Sequence, residues 1–145
     1  MATKVQAPAV ATSKAVDTTP VRAGVAPVIA LVAGWLIPGA GHLLLGKWVR
    51  AALLALSILC MFGIGIALQG KIYTPNTGDP LDMLGFAGDL GSGLLYGLAR
   101  LLDWGHTTVQ IAVADYGSKF IVVAGLLNIV AAVDAHSLAS GRKRS

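Results

Sequence analysis

Between Val25 and Leu45, and again between Ala51 and Gln69, the chain carries no Asp, Glu, Lys or Arg. Each run is close to the roughly 20 apolar residues that a helix needs to cross the hydrocarbon core of a bilayer. A chain of 145 residues with two such runs places much of its surface against something other than water. The composition points the same way: 55% of the residues are hydrophobic and 12% charged, where a soluble domain has about 25% charged. All seven acids are Asp, so the Glu that usually decorates exposed helical surface is missing. The length leaves room for one compact membrane unit and no second domain.

The expected fold is an all-α integral membrane protein of about four transmembrane helices. The spans fall near 25–46, 51–69, 83–102 and 119–139, inside a helical membrane domain over 25–139. A flexible N-terminal tail over 1–24 precedes them, rich in Ala, Thr, Val and Pro and without an apolar core of signal-peptide length. A basic tail over 140–145 follows. In the first span Pro38 cannot donate to the carbonyl four residues back, and Gly39 and Gly41 loosen the helix around it, so the span is kinked or re-entrant from Pro38 to Gly46. Lys47-Trp48-Val49-Arg50 then supplies an aromatic and two cations suited to a membrane face. Pro75, Asn76, Gly78, Asp79 and Pro80 make 70–82 an exposed loop.

The third segment is apolar on one side. Asp89, Ser92, Gly93, Tyr96, Arg100 and Asp103 recur at helical spacing as a polar stripe opposite Leu90, Leu94, Leu98 and Leu101. Such a helix lies flat at the interface or crosses with its stripe turned to other helices, and one Arg beside two Asp favours crossing. Residues 104–118 read as an irregular connection, with Val109 to Val113 alternating like a short strand. Placing both tails on the cytoplasmic side puts Lys4, Lys14, Arg22, Lys71, Arg142, Lys143 and Arg144 inside, against Lys47, Arg50, Arg100 and Lys119 outside. The basic residues therefore read as topology and not as a nucleic-acid surface. Cys60 stands alone in an apolar run, which excludes an intramolecular disulfide.

The string Pro38-Gly39-Ala40-Gly41-His42-Leu43-Leu44-Leu45-Gly46-Lys47 resembles the Pro-Gly-x-Gly-His-x-x-x-Gly-Lys/Arg string of the two-helix transmembrane domain family of small bacterial membrane proteins. The aromatic that this family often carries near Leu44 is absent. Tyr116-Gly117-x-Lys119-Phe120, Ala124-Gly125-Leu126-Leu127-Asn128 and Asp134-Ala135 are similar to the ending of an uncharacterised bacterial membrane-protein family that joins it to the same hairpin. The resemblance implies a four-helix-like, multi-pass protein of the bacterial cytoplasmic (inner) membrane, and it implies no reaction.

Read as chemistry, Gly39, Gly41 and Gly46 remove side chains where a second backbone must approach, and His42 can satisfy carbonyls released by Pro38. The sharper alternative makes His42 a ligand to a haem or chlorophyll-type pigment, carried with a partner complex. Asp89 and Arg100 are ionisable groups at membrane depth, which by default suggests an ion or proton path, while a polar seam with Asn128 is the simpler account. Asn128 shares a face with Ala124, Ala131 and Ala135, and Gly93-x-x-x-Gly97 and Gly88-x-x-x-Ser92 repeat the small-residue pattern on which helices pack closely.

Enzyme signatures are weak. Gly91-Ser92-Gly93 lacks the preceding glycine of an intramembrane serine protease and a later buried His. Gly39-x-Gly41 and Gly63-x-Gly65 lack the third glycine of a dinucleotide loop. The expectation is a non-catalytic accessory or stabilising subunit of a larger membrane complex, possible settings being photosynthetic or respiratory, or else a self-associating transporter or channel built on Asp89 and Arg100.

Overall fold

The computed structural model describes residues 25–75, 78–104 and 112–142. Over these it has six helices and no strand: α1 Pro27–Leu36, α2 Ala40–Leu44, α3 Trp48–Ala67, α4 Pro80–Leu90, α5 Leu94–Leu101 and α6 Ala112–Ala139. The tail over 1–24 and the residues 109–111 of the expected strand lie outside the described residues. Val113, the end of that strand, is helical.

Two helices, α3 and α6, are long and apolar enough to cross a membrane. At 1.5 Å per residue their 20 and 28 residues span about 30 and 42 Å. α6 starts at Ala112 and not at Lys119. Asp115 and Lys119 pair one turn apart on it, and Ser118 Oγ bonds back to Ala114 O at 3.0 Å, so the polar residues that suggested a loop are accommodated inside the helix.

α6 is the element against which α1, α3 and α4 are laid. α3 runs antiparallel to it over its full length, with Gly65 against Gly117 and Ile121. α1 also runs antiparallel but covers only the half nearer Ala139: Ala30 packs with Ala135 and Leu138, Gly34 faces Ala132, and Trp35 reaches Asn128. There the chain turns back. Ile37, held before Pro38, is extended at φ −124° and ψ 118°, the conformation that a following proline imposes. Gly39 is left-handed at φ 83°, and a Cβ on it would lie 2.5 Å from Ala51 O, so no other residue fits this turn. α2 then descends beside α1, bringing Gly41 to Ala135 and Leu45 to the cluster of Ala30 and Leu138. The run from 25 to 46 is thus a half-length hairpin that leaves on the side where it entered.

α4 and α5 replace the single helix expected over 83–102. Asp79 caps α4 by accepting the Leu81 N–H at 2.9 Å, with Pro80 in the first turn. α4 enters beside the Ala112 end of α6 and runs parallel to it, Gly88 against Val122 and Gly91 against Gly125 and Ile129. It ends at 91–93, where Gly93 takes φ 61°. α5 turns back from there, and its Tyr96 hydroxyl donates to Tyr73 O at 3.3 Å. The polar stripe drawn on one helix therefore does not exist as a face: Asp89 and Ser92 are buried, whereas Arg100 is exposed on α5 and Asp103 is exposed in the turn after it. The stretch expected as an exposed loop is also partly interior. Gly70 and Ile72 are buried, and Ile72 joins Ile58, Phe62, Ala99, Ile121 and Ala124 in the main core.

Candidate functional site

The two half-length hairpins enter from opposite ends of the bundle, and their tips meet halfway along α6. Asn128 clasps them together. Its Nδ2 donates to Trp35 O at 2.8 Å and to Gly91 O at 2.9 Å, so one amide satisfies a free carbonyl on each tip. The Trp35 indole N–H adds a third link, to Leu90 O at 3.2 Å. Gly93 lets the second tip approach so closely that a Cβ there would overlap Trp35 O, and Gly125 does the same for the Gly88 backbone. Asn128 is fully buried on the small-residue face expected of it, with Ala124, Ala131 and Ala135 buried beside it.

A second polar set lies toward the Ala112 end and serves the extended segment 70–73. Ser118 Oγ accepts the Lys71 N–H at 2.8 Å, Asp89 Oδ2 accepts the Tyr73 N–H at 2.7 Å, and Tyr96 meets the Tyr73 carbonyl. Gly70 lies flat on Gly117, and neither position has room for a Cβ. Ser92 Oγ donates to Asp89 O at 2.6 Å and closes the α4 end. Five backbone groups released from helical hydrogen bonding, the Lys71 and Tyr73 N–H and the Trp35, Tyr73 and Gly91 carbonyls, are thus met by side chains, as buried irregular backbone requires. Among the described residues two buried side-chain acceptors, Asp89 Oδ1 and Asn128 Oδ1, have no hydrogen-bond partner.

His42 sits at a third place, toward the Ala139 end. It is 1% exposed, and its Nε2 lies 3.1 Å from Asp134 Oδ2 of α6. The space that Gly41 leaves beside it is filled by Ala30 O and Ala135 Cβ, and that of Gly39 by Ala51 and Ala55. The small residues here admit neighbouring helices. Among the described residues no group of His, Cys, Asp or Glu is arranged to hold a metal ion.

Of the residues singled out from the sequence, Asp89, Gly93 and Asn128 gather around the hairpin tips, and Gly39 and Gly41 pack the first hairpin. Gly46 and Gly97 face open space, and Gly46 has φ 77°, so neither is a close-packing position within the chain. Arg100 is exposed on α5. Sequence reasoning missed Trp35, Tyr73, Ser118 and Asp134. Their bonding partners lie 16 to 93 positions away along the chain, beyond the reach of any local pattern.

These features define an all-helical chain with two apolar helices of membrane-crossing length and an interior of backbone-serving polar groups. Over residues 29–144 it matches a family described as a family of unknown function (DUF6677), and it belongs to that family. No curated protein and no solved structure matches it.

Proposed function

We propose that this chain is a non-catalytic integral membrane protein that acts as an accessory or stabilising subunit of a larger membrane complex. In this reading α3 and α6 cross the bilayer, while α1–α2 and α4–α5 enter from opposite faces and return at mid-depth. The observation that carries it is the Asn128 clasp. The interior polar side chains hold the fold's own backbone, so the outer surface is left to carry the function. That surface is apolar along the whole of α3, with Val49, Leu53, Leu56, Leu59 and Ile64 exposed.

This arrangement fits one orientation. Val25, Lys47 and Arg142 all belong to the Ala139 end, which gives that side Lys4, Lys14, Arg22, Lys47, Arg50, Arg142, Lys143 and Arg144, eight of the eleven cations. The other side has Lys71, Arg100 and Lys119, together with Asp79, Asp82, Asp103 and Asp115. Both tails then lie in the cytoplasm of a bacterial inner membrane, with a wider charge margin than four full spans would give.

Gentle extraction from the native membrane, followed by native mass measurement and an absorption spectrum, tests the proposal. Larger subunits at a fixed ratio are expected, and any chlorophyll-type pigment or haem would arrive with them. A species with the mass of one chain alone overturns the subunit reading. A self-oligomer favours the second reading, a small transporter or channel using Asp89 and Arg100. That reading draws support from two half-helices meeting at mid-depth, the place where transporters bind their ions. Solute flux unchanged by Asp89→Asn would remove it.

A further inference from the structure

Asp89 stands on the last turn of α4 with none of its surface exposed. Its Oδ2 takes the Tyr73 N–H, and its Oδ1 has no partner. A carboxylate offers about four acceptor positions and is held in an apolar interior only by donors or by positive charge. Beyond the Tyr73 N–H, the neighbouring Ser92, Tyr96 and Lys71 side chains supply neither to Oδ1. Ser92 Oγ is spent on the Asp89 carbonyl, and the Tyr96 hydroxyl on Tyr73 O. Lys71, the cation of the adjacent segment, pairs with Asp82 at 3.3 Å. α6 faces α4 with residues 121–129, which include no ionisable side chain. Asn128, on the amide that clasps Gly91 two residues further along, brings a second buried oxygen without a partner.

We propose that Asp89 is a monovalent-cation site, in which a proton or a sodium-sized ion is held on Oδ1 inside the folded protein. One carboxylate without a second anion beside it is neutralised by a single positive charge, and a divalent ion would leave an excess charge in apolar surroundings. The site rests on the membrane reading, because lipid around α4 keeps bulk water from completing the carboxylate's hydrogen bonds.

Infrared spectra of the full chain in lipid vesicles at neutral pH, in choline chloride and in sodium chloride, test this directly. The expected result is a carbonyl stretch of a protonated carboxylic acid that is lost in Asp89→Asn. If the band is present in both salts, the ligand is a proton. If sodium but not choline removes the band and raises the melting temperature, the ligand is a sodium ion. The absence of a band from Asp89 in either salt, together with a melting temperature indifferent to sodium, overturns the site. Should Asp89→Asn fail to fold, Asp89→Glu, which keeps the carboxyl and moves it by a methylene, is expected to shift the band, and an unshifted band overturns the assignment. Flotation of the vesicles after a carbonate wash reads insertion separately. A chain that washes off refutes the membrane reading whatever the spectrum shows.

Discussion

Asn128 makes two hydrogen bonds that an apolar side chain of its size cannot make, to carbonyls whose helices have ended and which have no helical partner. Asn128→Leu keeps the volume and strands both carbonyls. It is expected to lower stability by about 2 kcal/mol, between the small average for a polar contact in a membrane and the larger penalty for buried unmet acceptors. Trp35→Phe, which removes the indole donor to Leu90 O and keeps most of the ring, is expected to cost about 1 kcal/mol or less. Reversible denaturant titration in detergent measures both, and equal midpoints for Asn128→Leu and the parent chain would mean that the tips are held by packing alone. Asn128 was legible in the sequence because its neighbours one and two turns away are alanines. Its partners were not, since they are main-chain atoms in two distant turns, and a sequence pattern marks side chains.

At the scale of elements, apolar run length proved a good guide to α3 and a poor guide to the hairpins. Ala51 to Gln69 has no proline and is helical as far as Ala67, whereas Val25 to Leu45, two residues longer, folds double at Pro38–Gly39. Hydropathy counts residues against lipid and says nothing of direction. The break at 91–93 was harder to see, because Gly88, Gly91, Gly93 and Gly97 satisfy the spacing of a packing face as well as that of a turn. The glycines themselves separate the two. Gly125→Ala pushes a methyl into the Gly88 backbone and is expected to destabilise by about 2–3 kcal/mol. Gly97→Ala points into open space in the middle of α5, and is expected to leave stability unchanged or raise it by up to about 1 kcal/mol. Melting both variants in the same detergent checks this, and a large loss at Gly97 would place a helix against that face.

For the whole molecule, the decisive question is which ends of the chain segments share a side. Four full spans put Lys47 opposite the tails, and two spans with two half-depth hairpins put it with them. The folded arrangement favours the second for a reason independent of charge: Val25, Leu45 and Leu138 belong to one cluster, so the chain entering at Val25 and leaving at Leu45 cannot have crossed the length of α6 between them. Charge then follows from geometry, since Lys47 and Arg50 move to the tail side and Lys71 moves away from it. In a background of Cys60→Ser, single cysteines at Gly46, Gly141 and Gly78 decide the matter with a thiol reagent that does not cross the membrane. Gly46→Cys and Gly141→Cys are expected to react only from the cytoplasmic side, and Gly78→Cys only from the opposite side. Reaction of Gly46→Cys only from the side opposite Gly141→Cys, with Gly78→Cys on the side of Gly141→Cys, would restore four crossings, and with them a Pro38 kink inside a continuous span. It would also dissolve the meeting of hairpin tips at Asn128, so that the loss expected for Asn128→Leu and the labelling pattern must stand or fall together.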